Sequence, residues 1–197
     1  TGKSGGVLWI PNNPLMRAGG LEDCRSDALR YLARVAYPTL YNPEDATLGL
    51  PPEKFRLLEV FYNTGSLVVE ALTEAGALDV ELVDYPDYYA DLPEDPAPTG
   101  RTLQPRFPAG WRRGIHPSGG QLLVDGMQRT AEGLGVDVLL GRRAVHLVRN
   151  DHLEVVGLEV QVGKRTELVG ARQAVIFGSG GFLHNPALTL EYLRGPV

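Results

Sequence analysis

Glycine and proline come in clusters along this chain, and the clusters decide how far any regular element can run. There are 24 glycines and 15 prolines among 197 residues. Proline lacks a backbone N–H and breaks helix interiors and central strands. Glycine permits turns and close backbone approach to a ligand. The chain is therefore turn-rich, built from short elements. Its length still suffices for one sizeable core, or one core and a small satellite. Hydrophobic residues make up 43% and charged residues 22%, which is ordinary for a globular protein and excludes disordered and fibrous classes.

Between the clusters, periodicity marks the elements. Val7–Ile10 reads as an apolar strand closed by Pro11-Asn12-Asn13-Pro14. Asp23 or Ser26 caps a helix with apolar positions Leu29, Leu32, Ala33 and Ala36, ended by Pro38. Pro51-Pro52 opens a second helix through Phe61. Asn63-Thr64-Gly65-Ser66 interrupts it, and Ser66 caps a third helix ending at Gly76. Val80–Val83 is a short strand. Residues 84–115 carry Tyr85, Tyr88, Tyr89 and Trp111 with six prolines and little period, the pattern of a functional surface loop. Residues 118–133 form a helix closed by Gly135, with Leu123, Met127, Ala131 and Leu134 on one side. Val136–Leu140 reads as a buried strand. Ala144–Val148, Leu153–Val162 and Thr166–Val169 follow as a meander, and Ala174–Phe177 as a buried strand ending in Gly178-Ser179-Gly180-Gly181. Asn185-Pro186 begins a last helix. This order suits an α/β nucleotide-binding domain with a β-meander inserted as a crossover.

Charge and chemistry narrow the function. The balance of 19 Lys and Arg against 24 Asp and Glu, a net −5, argues against nucleic acid or an anionic membrane as partner. No apolar run reaches the roughly 18 residues of a spanning helix, and residues 1–10 do not show the basic-then-apolar order of a signal peptide. The single cysteine, Cys24, makes no internal disulfide, so a reducing, cytoplasmic setting is expected; near a helix start it could be a somewhat acidic thiol, but with no partner base in view a packing role is expected. His116, His146, His152 and His184 have no second ligand at metal spacing, so no metal is expected. Thr1-Gly2-Lys3-Ser4 resembles the tail of a P-loop, but an apolar β-type run follows where a helix should start. No Gly-x-Ser-x-Gly elbow supports a hydrolase. Gly178–Gly181, at the carboxyl end of an expected strand, lies where open α/β sheets bind ligands. Ser4-Gly5-Gly6 offers bare backbone to a flat or anionic ligand. Tyr88 carries a phenol, a group that can donate, accept or relay a proton.

Taken together, these segments resemble the flavoprotein family of fumarate reductases and 3-ketosteroid dehydrogenases, the steroid branch most. The resemblance rests on Ser4-Gly5-Gly6 with Trp9-Ile10-Pro11 and Asn13, on Asp87-Tyr88 with Gly100-Arg101-Thr102-Leu103-Gln104-Pro105, on Gly119-Gly120 and the helix and strands to Val148, and on Ala174–Phe182 with Asn185. It covers nearly the whole chain in order. Gly178-Ser179 stands where the family has Ala-Thr, which keeps the hydroxyl.

The resemblance implies an α/β fold, part of a Rossmann-like FAD-binding domain with an inserted β-meander and a helical, loop-rich segment. Residues 14–115 would be the helical excursion and 116–197 the nucleotide-binding portion. The family's Gly-x-Gly-x-x-Gly motif and its substrate domain lie outside this sequence, so the chain is expected to be an internal piece, partnered by the remaining segments of the same protein. FAD is the implied cofactor. Thr1, Ser4, Gly5 and Gly6 would line the flavin, Ala144 would meet adenine through its backbone, and Ser179, Gly180 and Gly181 would approach the dinucleotide. Tyr88 is the implied catalytic residue, assisting a proton-abstracting tyrosine of the other domain. The substrate would be a small apolar, steroid-like ketone. The alternatives are a fumarate-reductase-like enzyme acting on dicarboxylates, and a non-catalytic piece that needs other chains. For the dicarboxylate reading, Arg101 and Arg106 are the only cations that the 84–111 segment offers as clamps.

Overall fold

The computed structural model describes residues 3–96 and 99–193. It is an α/β structure of helices and two small antiparallel sheets, and it divides into two compact units, Thr1–Asp137 and Val138–Val197.

In the first unit, β1 (Leu8–Trp9), β3 (Thr102–Pro105) and β2 (Val80–Leu82) form a three-stranded sheet in that order. Leu103 faces Leu8 on one side and Leu82 on the other. β3 lies within the stretch expected to be loop. The strand is too short to show alternation, and Thr102, Leu103 and Pro105 are all buried. Its place between two partners, rather than its own pattern, makes it a strand.

Helix α1 (Pro14–Ala18) begins on Asn13, whose Oδ1 accepts the Met16 N–H at 3.0 Å. The segment reads as a stop in the sequence, yet Asn followed by Pro at the first helical position is also a helix start. Helix α2 (Arg25–Ala36) is capped at Cys24, without a side-chain hydrogen bond; neither Asp23 nor Ser26 caps it. Asp23 is instead buried and bound to an arginine, as described below.

Helix α3 (Pro52–Glu74) is one continuous helix of 23 residues, not two. The Asn63–Ser66 interruption does not break it, because Thr64, Gly65 and Ser66 each gain a contact. Thr64 Oγ1 donates to the Val60 carbonyl at 2.6 Å, Gly65 lies beside Ile10, and Ser66 Oγ accepts from Arg17 at 2.8 Å. Packing outweighs a propensity cost of about 1 kcal/mol for glycine. α3 also joins two apolar clusters. Leu58 packs with Leu29, Ala33, Leu48 and Leu50, and Val69 with Leu78, Val80, Leu103 and Leu123. Helix α4 (Gly119–Gly133) starts on Ser118, whose Oγ accepts the Gln121 N–H at 3.2 Å. Of its expected apolar side only Leu123 is buried, and Met127 and Leu134 are exposed.

The second unit holds the expected meander, β4 (Arg143–Arg149), β5 (Val155–Val162) and β6 (Arg165–Gly170), antiparallel throughout. Asn150 Oδ1 accepts the N–H groups of His152 and Glu154, both at 3.0 Å, and so closes the first turn. Helix α5 (Pro186–Tyr192) starts on Asn185, as its Asn-Pro pair predicts. Two expected strands are absent. Val136–Leu140 and Ala174–Phe177 form no ladder among the described residues, and Leu140 and Ile176 are 81% and 92% exposed. A strand exists only where a neighbour takes its N–H and C=O groups, and neither segment has one there. No helix among the described residues is long and apolar enough to cross a membrane.

Candidate functional site

Two features of the first unit bring separated motifs together. The first is a backbone junction. Gly120 N–H donates to the Ser4 carbonyl at 2.9 Å, and Gly6 takes a φ of +74°. A Cβ on Gly6 would fall 2.4 Å from the Gly119 carbonyl carbon, and a Cβ on Gly119 would fall 1.9 Å from the Gly5 oxygen. Neither position admits a side chain. The Ser4-Gly5-Gly6 turn is thus seated on the first turn of α4, a use of glycine that needs no ligand. Gly6 is buried in the junction, while Ser4 and Gly5 stay exposed; Ser4 Oγ accepts the Gly6 N–H at 3.3 Å. Thr1 lies outside the described residues.

The second feature is a buried ionic cluster around Arg101, which is 1% exposed. Its Nε and Nη2 donate to the two carboxylate oxygens of Asp23 at 3.0 and 2.8 Å. Its Nη1 donates to Asp87 at 3.0 Å and to Asp95 at 2.8 Å. The guanidinium lies 5.5 Å from the ring centres of both Trp9 and Tyr31, which stack on each other, and Trp9 Nε1 donates to Asp87 at 2.8 Å. Burial works against the charged guanidinium, but Asp23 and then Asp87 outweigh it, so Arg101 is held protonated more firmly than usual. Burial likewise pushes the Tyr31 phenol up.

Tyr88 follows Asp87 and is 92% exposed, its ring edge-on to Tyr89 at 5.2 Å. The Tyr89 N–H donates to the Tyr31 hydroxyl at 3.4 Å. The adjacent loop residues thus point in opposite senses, Asp87 inward and Tyr88 outward. The acidic partners Asp23 and Asp95 escaped sequence reasoning. Asp23 looked like a helix cap, and nothing in the pattern links three aspartates to an arginine up to 78 residues away. Arg101 itself stood out only as part of Gly100-Arg101-Thr102-Leu103.

Cys24 differs from its expected packing role. It is exposed, with Sγ 3.1 Å from Ser26 Oγ, and hydrogen bonds from the Ser26 side chain and backbone lower its thiol below the ordinary value.

In the second unit, Ser179, Gly180 and Gly181 are exposed, and Gly180 takes a φ of +77°. Among the described residues, no atom beyond the chain neighbours lies within 4 Å of an added Cβ at Gly178, Gly180 or Gly181. Ala144 is exposed on β4, the edge strand of the meander, beside a register shift between Ala144 and His146.

Comparison with known proteins gives these features a context. The 3-oxosteroid 1-dehydrogenase of Mycolicibacterium smegmatis is 26% identical over 260 aligned residues, which cover 100% of this chain and 43% of that protein. The alignment is longer than the chain, so the relative carries internal residues that this chain lacks. The chain spans under half the length of the curated relatives it matches. The crystal structure of 3-ketosteroid Δ1-dehydrogenase from Sterolibacterium denitrificans, in complex with 1,4-androstadiene-3,17-dione, superposes with a TM-score of 0.73 at 22% identity, over 99% of this chain and 43% of that one. That of 3-ketosteroid-Δ4-(5α)-dehydrogenase from Rhodococcus jostii RHA1, in complex with 4-androstene-3,17-dione, gives 0.72 at 22% identity, over 96% and 40%. The family model described as FAD binding domain matches residues 1–195. With glycine turns at both ends of the sequence and a match running almost from end to end, the chain belongs to the FAD-binding domain family.

Proposed function

We propose that this chain carries the cofactor-facing surface, and part of the catalytic surface, of an FAD-dependent dehydrogenase acting on a 3-ketosteroid-like substrate. The observation that carries this reading is the loop over residues 84–96. It exposes Tyr85, Tyr88 and Tyr89 while its buried charges are neutralised inside. Aromatic rings with a polar edge suit a bulky apolar ketone. A small dicarboxylate would need free cationic clamps. Arg101 is committed to three aspartates, and Arg106 pairs with Asp79 and Glu81. These commitments weigh against a fumarate-reductase-like site, and the named relatives above are steroid dehydrogenases.

Within that enzyme the chain would be part of a Rossmann-like FAD-binding domain. Residues 14–115 would form its helical excursion, 116–197 its nucleotide-binding portion, and β4–β6 its inserted meander. The exposed residues fit FAD. The Gly178–Gly181 turn offers backbone unobstructed by side chains, where Ser179, Gly180 and Gly181 would take the dinucleotide. Ala144 would meet adenine through the backbone of the open β4 edge. Ser4 and Gly5 would line the flavin, held in place by the seating of Gly6 on α4. When bound, FAD supplies a two-electron acceptor for hydride.

Tyr88 would act on the proton. A C–H beside a polarised carbonyl becomes acidic, and a tyrosinate from the substrate domain would take that proton, the FAD held by the residues above supplying the acceptor for hydride from the neighbouring carbon. The Tyr88 hydroxyl would donate a hydrogen bond that steadies this tyrosinate. The partners are then the steroid-like ketone and the remaining segments of the same protein. A reducing, cytoplasmic setting suits the exposed thiol of Cys24.

The test is anaerobic mixing of the complete FAD-loaded enzyme, substrate domain included, with a 3-ketosteroid or with succinate. Loss of the visible flavin absorption with the steroid alone is expected. Reduction by succinate and not by the steroid would overturn the proposal.

A further inference from the structure

Residues 84–96 fold in an unusual way. The loop has thirteen residues and only two of them are buried, Asp87 and Asp95. Its tyrosines are exposed, and Leu92 is only half-buried. A surface loop is ordinarily held by apolar side chains turned inward, with charges in water. Here the charges are the inward anchors. Both reach the same nitrogen, Arg101 Nη1. The opposite edge of that guanidinium is fixed by two hydrogen bonds to Asp23, which precedes α2. Four of the five guanidinium N–H groups are thus committed, in a planar fork whose direction cannot drift. Trp9 Nε1 holds the second oxygen of Asp87 from β1.

We propose that Asp87, held by Arg101 and Trp9, is the positioning residue for Tyr88, so that the direction of the Tyr88 phenol is set by an ionic anchor rather than by packing. Tyr88 has little else to fix it. It is 92% exposed, and its ring contact is with Tyr89 of the same loop. Its backbone begins one bond from the Asp87 carbonyl, and that residue is pinned from two directions, by β1 and by the residue that leads into β3. Asp95 pins the far end of the loop to the same cation. The tyrosines between the two anchors therefore move with Arg101 as one body. The catalytic consequence rests on the role proposed above for Tyr88; the anchoring does not.

The test uses Asp87→Asn, which keeps an acceptor for Trp9 and removes the ion pair to Arg101. In the 197-residue chain, amide exchange over residues 84–92 should accelerate by roughly ten- to a hundred-fold, the scale of one hydrogen bond between charged groups. Exchange in α3 should stay unchanged. An unaltered loop, or a general rise that includes α3, overturns the anchoring. Should Asp87→Asn fail to fold, Asp95→Asn replaces it, with faster exchange over residues 91–96 as the expected result and no change as the refuting one.

In the FAD-loaded protein, Asp87→Asn should lower kcat with KM nearly constant, and it should have no further effect in a Tyr88→Phe background. Equal losses in both backgrounds would mean that Asp87 acts on turnover by another route, and would overturn the positioning role. If Tyr88→Phe alone leaves turnover intact, the proposed role of Tyr88 falls, and the exchange experiment alone decides the anchoring.

Discussion

Replacing Arg101 by methionine tests the energetics of the cluster directly. The substitution keeps an unbranched apolar stem and removes the charge. It leaves Asp23, Asp87 and Asp95 facing one another with side-chain exposures of 0%, 4% and 0%. Breaking one buried ion pair by removing a partner costs about 3–5 kcal/mol, chiefly because the surviving charge is left uncompensated. Here one cation serves three carboxylates through four hydrogen bonds. The upper end, about 5 kcal/mol, is therefore the expected loss, less whatever the aspartates recover by taking up protons. A native domain has a total stability of about 5–15 kcal/mol. The variant should fold but unfold at much lower denaturant. Arg106→Met is the control. Arg106 is 55% exposed, and its partners Asp79 and Glu81 are 77% and 34% exposed, so its loss should cost under about 1 kcal/mol. Urea titration followed by tryptophan emission, in a Trp111→Phe background, lets Trp9 report from within the cluster. If Arg101→Met and Arg106→Met lose the same small amount, the cluster is not the anchor described.

Three further outcomes are expected. Gly119→Ala puts a methyl group 1.9 Å from the Gly5 oxygen, so the Ser4–Gly6 turn must leave α4; a loss of about 1–3 kcal/mol and faster exchange of the Gly120 amide are expected, and an unchanged melting curve would contradict the junction. Cys24 should react with iodoacetamide faster than a free cysteine near neutral pH, and Ser26→Ala should slow it; equal rates in the two proteins would show that Ser26 does not hold the thiolate. The Asp45 carboxylate is held below its usual value by the Thr47 hydroxyl and then by the N–H groups of Thr47 and Gly49. Its folded-state value lies below the unfolded one, so its contribution is complete above the ordinary carboxylate range and lost as pH falls through the lowered value. Side-chain NMR titration should show the Asp45 midpoint below that of an unstructured aspartate, and a midpoint at or above it would refute this.

The sequence was most readable where a local rule decides the structure. Asn185 and the Asn150 turn each announce themselves, because a side chain bonds to backbone two to four residues away. The meander was legible for the same reason, its strands being consecutive. Legibility failed where a distant neighbour decides. Gly65 looks like a break until Ile10 is set beside it, and Thr102–Pro105 looks like loop until β1 and β2 flank it. Val136–Leu140 and Ala174–Phe177 have the composition of buried strands, but composition cannot supply the partner that a ladder needs. At the candidate site, the motif around Arg101 was visible and its meaning was not. In the sequence Arg101 could serve only the alternative, dicarboxylate reading as a clamp, and the approach of Asp23, Asp87 and Asp95 shows its charge already satisfied.

The continuity of α3 has a consequence for how the first unit comes apart. A rod of 23 residues is about 34 Å long, and it contributes Leu58 to one apolar cluster and Val69 to the other. Had the helix been broken at Gly65, each half could detach with its own cluster, and the unit would unfold in two steps. With one unbroken ladder, neither cluster can be solvated without peeling helix away from the other, so the two share a single cooperative transition. The weak point of that coupling is Gly65 itself, which a contact with Ile10 and the neighbouring hydroxyls support. Ile10 also packs on the Val69 cluster, so a change there would loosen that cluster and the coupling together.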